Sequence, residues 1–195
     1  LRTAPHVLAT KTDAFRPAGG PDAETFHWLG RQVLVTGGTG FIGRYLVEAL
    51  VAAGAQVTVL ARPHGKLSSD ARRRSDQVEH RSGDLTEPGS LARVCDGVDT
   101  VFHLAGYAHA EDGSTSLNES PHWRITVEGT QALLDHACAA GVKRLVFVST
   151  VKAMGEGGDA RLDETSPADP EDHYGMAKRE AERLVLVAGR RCGVH

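Results

Sequence analysis

Apolar residues fall along this chain in two alternating patterns. Short runs stand at Val33 to Val35, Val57 to Leu60, Val78 to Arg81, Thr100 to Leu104 and Leu145 to Val148. Runs of that length, bounded by turn residues, read as strands. Between them apolar residues recur at three- and four-residue spacing. Ile42, Leu46, Ala49, Leu50 and Ala53 lie on one face of a predicted helix that Gly54 stops. Val127, Leu133, Leu134 and Ala137 lie on another, predicted from about Trp123 to Ala140 and stopped by Gly141. A last helix is predicted from about Tyr174 to Ala188. Strands that alternate with helices imply an α/β fold with a parallel sheet covered on both faces. Right-handed crossovers then give the doubly wound strand order 3-2-1-4-5. Residues 151 to 172 form one long polar loop, a length that usually accompanies function.

The first strand breaks into Gly37, Gly38, Thr39, Gly40, Phe41, Ile42 and Gly43 before the first helix begins. Strand, glycine turn and helix together are the context of a dinucleotide site. Glycine lets backbone approach a pyrophosphate with no Cβ between them. The N–H groups of the first helical turn, around Phe41 and Ile42, then face the phosphates. The spacing of Gly37, Gly40 and Gly43 is G-x-x-G-x-x-G rather than the commoner G-x-G-x-x-G. A P-loop needs Lys-Ser or Lys-Thr after its last glycine, and Arg44-Tyr45 stands there instead.

Ends of the other strands supply further candidates, since ligands bind at the carboxyl edge of such sheets. Arg62 follows the second strand, where an acidic residue would bind ribose hydroxyls. A guanidinium at that place can hold a 2′-phosphate, which favours NADP over NAD. Asp84 and Leu85 follow the third strand, and Ser149 and Thr150 the fifth. Tyr174 and Lys178 share one helix face at i, i+4. An ammonium beside a phenol favours its ionised form, and such a tyrosine can exchange a proton with a substrate hydroxyl. Thr150 could orient that hydroxyl.

At 195 residues one domain is the default: a loose tail over 1–30, rich in Pro and Gly, and a folded unit over 31–195. Phe26, Trp28 and Leu29 are expected to pack back onto it. Net charge is −3, so no nucleic-acid partner is expected, and Arg72, Arg73 and Arg74 read as a solvated helix face. Cys95, Cys138 and Cys192 are few, odd in number and far apart, which predicts reduced thiols in a cytoplasmic protein. The ten histidines lack zinc spacing, so no metal is expected. No stretch is apolar enough to span a membrane, and the first 30 residues lack a signal-peptide core. The chain begins with Leu, as a processed chain, an alternative start or a fragment would.

TGGTGFIG, GDL at 83–85, HLAG at 103–106, VEGTQALL at 127–134, RLVFVST at 144–150 and YGMAK at 174–178 come in one order along residues 31 to 190. In that order the chain resembles the extended short-chain dehydrogenase/reductases of the NAD-dependent epimerase/dehydratase family. VKAMGE followed by DETSPADPEDHYGMAK resembles the sugar-nucleotide epimerase and reductase branch. The resemblance implies a Rossmann-like domain with Tyr174 as acid/base, Lys178 as its activator and ribose contact, and Thr150 as the catalytic hydroxyl. It also implies that Asp84 and Leu85 flank the adenine and that Leu104, Ala105 and Gly106 line the cofactor. Homodimers would form through residues 123 to 140 and 174 to 190. Three positions depart from the family pattern: Thr126 stands for the usual Asn, Met154 for a Tyr or Phe, and the chain ends at His195, where a sixth strand and the substrate domain would follow.

Two functions fit this pattern. One is the cofactor-binding part of an NAD(P)-dependent epimerase, dehydratase or reductase acting on a nucleotide-sugar. The other is a cofactor-binding module or truncated remnant without catalysis.

Overall fold

Val33, Leu34 and Val35 are almost wholly removed from water, as a strand buried on both faces requires. They belong to β1 (Gln32–Thr36), the middle of a five-stranded sheet in a computed structural model. The structure describes residues 28–63, 78–107, 116–155, 157–158, 162–163 and 165–195. The other strands are β2 (Gln56–Ala61), β3 (Val78–Ser82), β4 (Thr100–His103) and β5 (Arg144–Phe147). Their order is β3-β2-β1-β4-β5, as the alternating pattern predicts, and every pairing is parallel.

Alternation along β1 sorts the core into two layers. Val33 and Val35 join Val57 and Val59 of β2 and the helix α1 (Phe41–Ala52) on one side. Leu34 joins Val101 and two helices, α2 (Gly129–Ala140) and α3 (His173–Cys192), on the other. Leu133, Leu134 and Ala137 of α2 are fully buried there, as their spacing predicts. Each such leucine stabilises the fold by roughly 1.5–3 kcal/mol relative to exposure.

The predicted face of α1 needs correction. Its buried residues are Gly43, Val47 and Leu50, while Ile42 is 61% exposed and Ala49 and Ala53 lie outward. Gly43 has to face the turn because only a glycine fits there, and Val47 and Leu50 fall in line with it one and two turns on. Of the three N-terminal aromatic and apolar residues expected to pack, Trp28 does, with its ring 5.7 Å from that of Phe102. Leu29 is 80% exposed. Phe26, the rest of the predicted tail and Arg72 to Arg74 lie outside the described residues.

The helix predicted from Trp123 is not uniform. Trp123–Glu128 is a π-helical turn that leads directly into α2. Gly141 ends α2 in the left-handed conformation. α3 is longer than its apolar spacing suggests, reaching Cys192 because Gly193 rather than Ala188 provides the stop. After it, the His195 N–H donates to the Lys143 carbonyl at 3.0 Å and its carbonyl accepts from Leu145 N–H at 2.8 Å.

The ends of α2 and α3 also correct the expectation of reduced thiols. Cys138 and Cys192, 54 residues apart, have Cα atoms 5.7 Å from each other and their sulfurs are joined as a disulfide. Cys95 alone is a free thiol; it is buried, and burial pushes it up to about 11. No described helix is long and apolar enough to cross a membrane.

Asp172 starts α3. Its carboxylate accepts from Gly175 N–H at 2.6 Å and pairs with Lys152 at 2.5 Å. Desolvation opposes the charged form, but Lys152 and the Gly175 N–H outweigh it, so the carboxyl is held below its ordinary value. Asp172→Ala is expected to cost about 0.5–2 kcal/mol, the usual worth of a capping side chain. Urea unfolding would measure it as a lower midpoint at constant m-value. A midpoint unchanged by the substitution would show that Asp172 does not set where α3 begins.

Candidate active site

The turn between β1 and α1 is built by two glycines with different duties. Gly37 has φ +70°, and a Cβ on it would lie 2.8 Å from the backbone nitrogen of Ala105. At Gly43 a Cβ would lie 2.7 Å from Gly38 Cα. The turn therefore closes against its own helix and against the segment after β4. Gly40 is the N-cap residue, with no side-chain hydrogen bond and no acidic residue in the first turn of α1. The first ladder bond there runs from Arg44 N–H to the Gly40 carbonyl at 3.1 Å. The N–H groups of Phe41, Ile42 and Gly43 precede that ladder, and such a helix end attracts anions. Phe41 and Ile42 are 75% and 61% exposed beside it. A backbone cradle with an uncapped positive dipole end fits a dinucleotide pyrophosphate.

Thr36 ties this turn to β4. Its hydroxyl accepts from Ala105 N–H at 3.1 Å and lies 2.6 Å from His103 Nδ1. His103 Nε2 reaches Thr130 Oγ1 at 2.9 Å. His103 is wholly buried, and burial pushes it down to about 3, with the Lys178 charge acting in the same direction. It is thus a neutral cross-brace between β1, β4 and α2, holding Leu104, Ala105 and Gly106 beside Gly37.

At β2, Arg62 is exposed. Asp84 is half-buried, and its Oδ1 accepts from the N–H and the hydroxyl of Thr86, both at 2.8 Å. Those bonds, chiefly the backbone one, hold its carboxyl below the ordinary value, with help from the charges of Arg62 and Arg124. Leu85, grouped with Asp84 at the adenine by the resemblance, is buried in the core between Leu34 and α2.

β5 and α3 bring the remaining candidates together. Lys178 is 5% exposed; its Nζ donates to the Val148 carbonyl at 2.7 Å and stands 4.4 Å from the Phe147 ring centroid. Burial pushes its ammonium down to about 8, against the pull of Glu182. Thr150, two residues beyond Val148, is half-buried, and its Oγ1 accepts from Lys152 N–H at 3.4 Å. Tyr174 is half-buried one turn before Lys178, and its ring lies 5.6 Å from that of His122.

Three residues near this cluster escape sequence reasoning or stand out there only as departures. His122 is buried, with Nδ1 3.1 Å from the Tyr107 carbonyl; no spacing rule marks a lone histidine in a helical turn. Thr126, in the π-helical turn, is fully buried, and its Oγ1 has no hydrogen-bond partner among the described residues. It would lie 3.4 Å from a Cβ on Gly106. Glu182 accepts from Ser149 Oγ at 2.5 Å. The continued four-residue step from Tyr174 through Lys178 is the signal for it. Among the described residues no group of three or more His, Cys, Asp or Glu could hold a metal.

The model of the NAD-dependent epimerase/dehydratase family matches residues 33–195. The chain belongs to that family. Among its relatives in this NAD-dependent epimerase/dehydratase family, a 3β-hydroxysteroid dehydrogenase/Δ5→4-isomerase of Mycobacterium tuberculosis is 36% identical, over 85% of this chain and 45% of the relative. A UDP-glucose 4-epimerase of Streptomyces lividans is 31% identical, over 78% of this chain and 46% of its own length. Among solved structures, the dTDP-glucose 4,6-dehydratase DesIV of Streptomyces venezuelae, with NAD bound, superposes with TM-score 0.73 at 31% identity. It covers 84% of this chain and 53% of DesIV. The chain spans less than half the length of these curated relatives.

Proposed function

We propose that this chain is the cofactor-binding part of an NAD(P)-dependent enzyme that oxidises or reduces a carbinol carbon of a nucleotide-sugar, with Tyr174 as acid/base. The bond from Lys178 Nζ to the Val148 carbonyl carries the reading. It docks the helix bearing Tyr174 against the strand end bearing Thr150. The bound dinucleotide supplies a hydride acceptor or donor. Gly37, Gly40 and Gly43, with the first turn at Phe41 and Ile42, hold its pyrophosphate. Leu104, Ala105 and Gly106 line its path, and Asp84 stands at the adenine end. Thr150 Oγ1 orients the substrate oxygen by hydrogen bonding. Tyr174 takes the hydroxyl proton during oxidation and returns it during reduction. Lys178 places positive charge near the phenol and contacts the ribose.

Support for a nucleotide-sugar comes from the sequence branch that residues 151–178 resemble, and from relatives named for UDP-glucose and dTDP-glucose. Relatives named as hydroxysteroid dehydrogenases support a sterol instead. Both carry a secondary hydroxyl, so one site chemistry serves either. The full-length protein, given NAD or NADP and panels of nucleotide-sugars and 3β-hydroxysteroids, is expected to convert a nucleotide-sugar, followed by chromatography of products. Turnover of a steroid alone would replace the substrate class. Cofactor binding without turnover on either panel would favour a non-catalytic module. The exposed Leu186 and Val187 of α3 support a homodimer through α2 and α3, which sedimentation would test.

The family is NAD-dependent, and Arg62 supports acceptance of NADP as well. A guanidinium paired with a 2′-phosphate contributes about 1.5–3 kcal/mol. Arg62→Ala should therefore weaken NADP binding by roughly 10- to 100-fold and leave NAD nearly unchanged, as read by calorimetry. Equal loss for both cofactors would show that Arg62 does not read the 2′ position.

A further inference from the structure

Besides the Lys152–Asp172 pair at the start of α3, two hydrogen bonds among the described residues join Val148 and Ser149, just after β5, to α3, and of these the one from Lys178 belongs to the proposed catalytic cluster. The second runs from Ser149 Oγ to Glu182 Oε1 at 2.5 Å. Ser149 sits directly before Thr150, and Glu182 sits one turn beyond Lys178 on the face that also carries Tyr174. The other carboxylate oxygen of Glu182 accepts from Arg179 at 3.0 Å. Side chains at Tyr174, Lys178 and Glu182 thus form a ladder along α3. Val148, Ser149 and Thr150 form the facing rail.

A hydrogen bond to a carboxylate is stronger than one between neutral groups, and it constrains direction. Loss of the Glu182 carboxylate would release Ser149, and among the described residues the hydrogen bonds to Thr150 are local, from Lys152 N–H to its Oγ1 at 3.4 Å and from Ala153 N–H to its carbonyl at 3.1 Å.

Glu182 also faces the ammonium electrically. The groups around Lys178 are few. On its own helix stand Tyr174 and Glu182. From β4 comes His103, which burial keeps neutral at ordinary pH. The end of β5 offers a carbonyl and the Phe147 ring, and the π-helical turn offers the uncharged Thr126. Among the described residues Glu182 is the anion that opposes the desolvation of Lys178, although desolvation is the larger effect.

We propose that Glu182 is a positioning residue, holding the Ser149–Thr150 segment in register with Tyr174 and Lys178. This rests on the proposed roles of Thr150, Tyr174 and Lys178. Its test is separable from theirs, because the titration of Lys178 can be followed without substrate.

The experiment uses the full-length protein labelled with 13C-lysine, with Lys178→Arg to assign the resonance. In the wild type the Lys178 resonance is expected to titrate near 8. Glu182→Gln keeps an acceptor oxygen for Ser149 but removes the charge, and should lower that midpoint by roughly one unit. Glu182→Asp keeps the charge and should restore most of the shift. Where a substrate is in hand, Ser149→Ala should lower kcat more than it raises KM. A Lys178 midpoint identical in wild type and Glu182→Gln would overturn the proposal, as would a Glu182→Asp midpoint equal to that of Gln. A protein that only loses thermal stability on substitution, with an unmoved midpoint, overturns it as well. A shifted midpoint without turnover would leave Glu182 in place and remove the acid/base reading instead.

Discussion

Tyr174→Phe in the full-length protein is expected to lower kcat by about 10²- to 10⁴-fold, the range for losing a positioned general acid/base. Cofactor affinity should stay within about threefold, since the substitution removes one oxygen and keeps the ring against His122. A loss of that size confined to kcat marks an interaction made in the transition state rather than in the ground state. The pH dependence sharpens the test. Burial brings Lys178 down to about 8, so its charge is present below that pH and disappears above it. Any step that relies on the ammonium should weaken as pH rises through about 8. Stability responds in the opposite sense: between about 8 and the ordinary lysine value the unfolded chain binds the extra proton, so folding becomes more favourable as pH rises. Opposed slopes for turnover and stability across one pH window are hard to obtain from general unfolding. A Tyr174→Phe enzyme that keeps more than a tenth of wild-type kcat would sink the assignment.

The sheet is legible in the sequence because its signals are local. Each strand is a short apolar run, and parallel order follows from handedness once helices separate the runs. The faces of the helices are less so. α2 packs along most of its length, so Leu133, Leu134 and Ala137 betray its buried side. At the start of α1, Phe41 and Ile42 stay exposed, where the proposed function places the cofactor. Apolar spacing cannot distinguish a residue that packs on the sheet from one that waits for a cofactor. Within the site, Tyr174 and Lys178 stand out because one helix carries both. Ser149 and Glu182 are 33 residues apart, and Cys138 and Cys192 are 54 apart. Such pairs are made by the docking of α3 on its neighbours; the four-residue step along α3 points to Glu182, but nothing local names its partner. The π-helical turn is the same kind of event. It is a local adjustment that leaves Thr126 buried beside Gly106, and no spacing in the sequence announces it.

The three glycines of the opening turn are equal in the sequence pattern and unequal in the structure, and this yields the second large expected effect. Gly43→Ala should lower stability by about 1–3 kcal/mol, the typical cost of forcing an extra group into packed surroundings. Its Cβ would meet Gly38 Cα at 2.7 Å and the Gly37 carbonyl carbon at 2.8 Å. Both are backbone atoms, so relief requires α1 to move off the turn. That movement carries the N–H groups of its first turn away from the proposed pyrophosphate site, and NAD affinity should fall by about 100-fold or more. Gly40→Ala is the internal control. Among the described residues its Cβ would meet the Gly37 carbonyl oxygen at 3.2 Å, and its φ of −77° suits any residue. It should lower the melting temperature by no more than about 4 °C, since a lost N-cap preference of about 1 kcal/mol moves a domain of this size by that much at most. Any loss of NAD affinity it causes then measures how closely the ligand itself approaches Gly40. Wild-type stability in Gly43→Ala would mean that α1 and the turn are not in contact there. A melting temperature lowered equally by both substitutions would mean that the turn tolerates no methyl anywhere, and the distinct duty assigned to Gly43 would be lost.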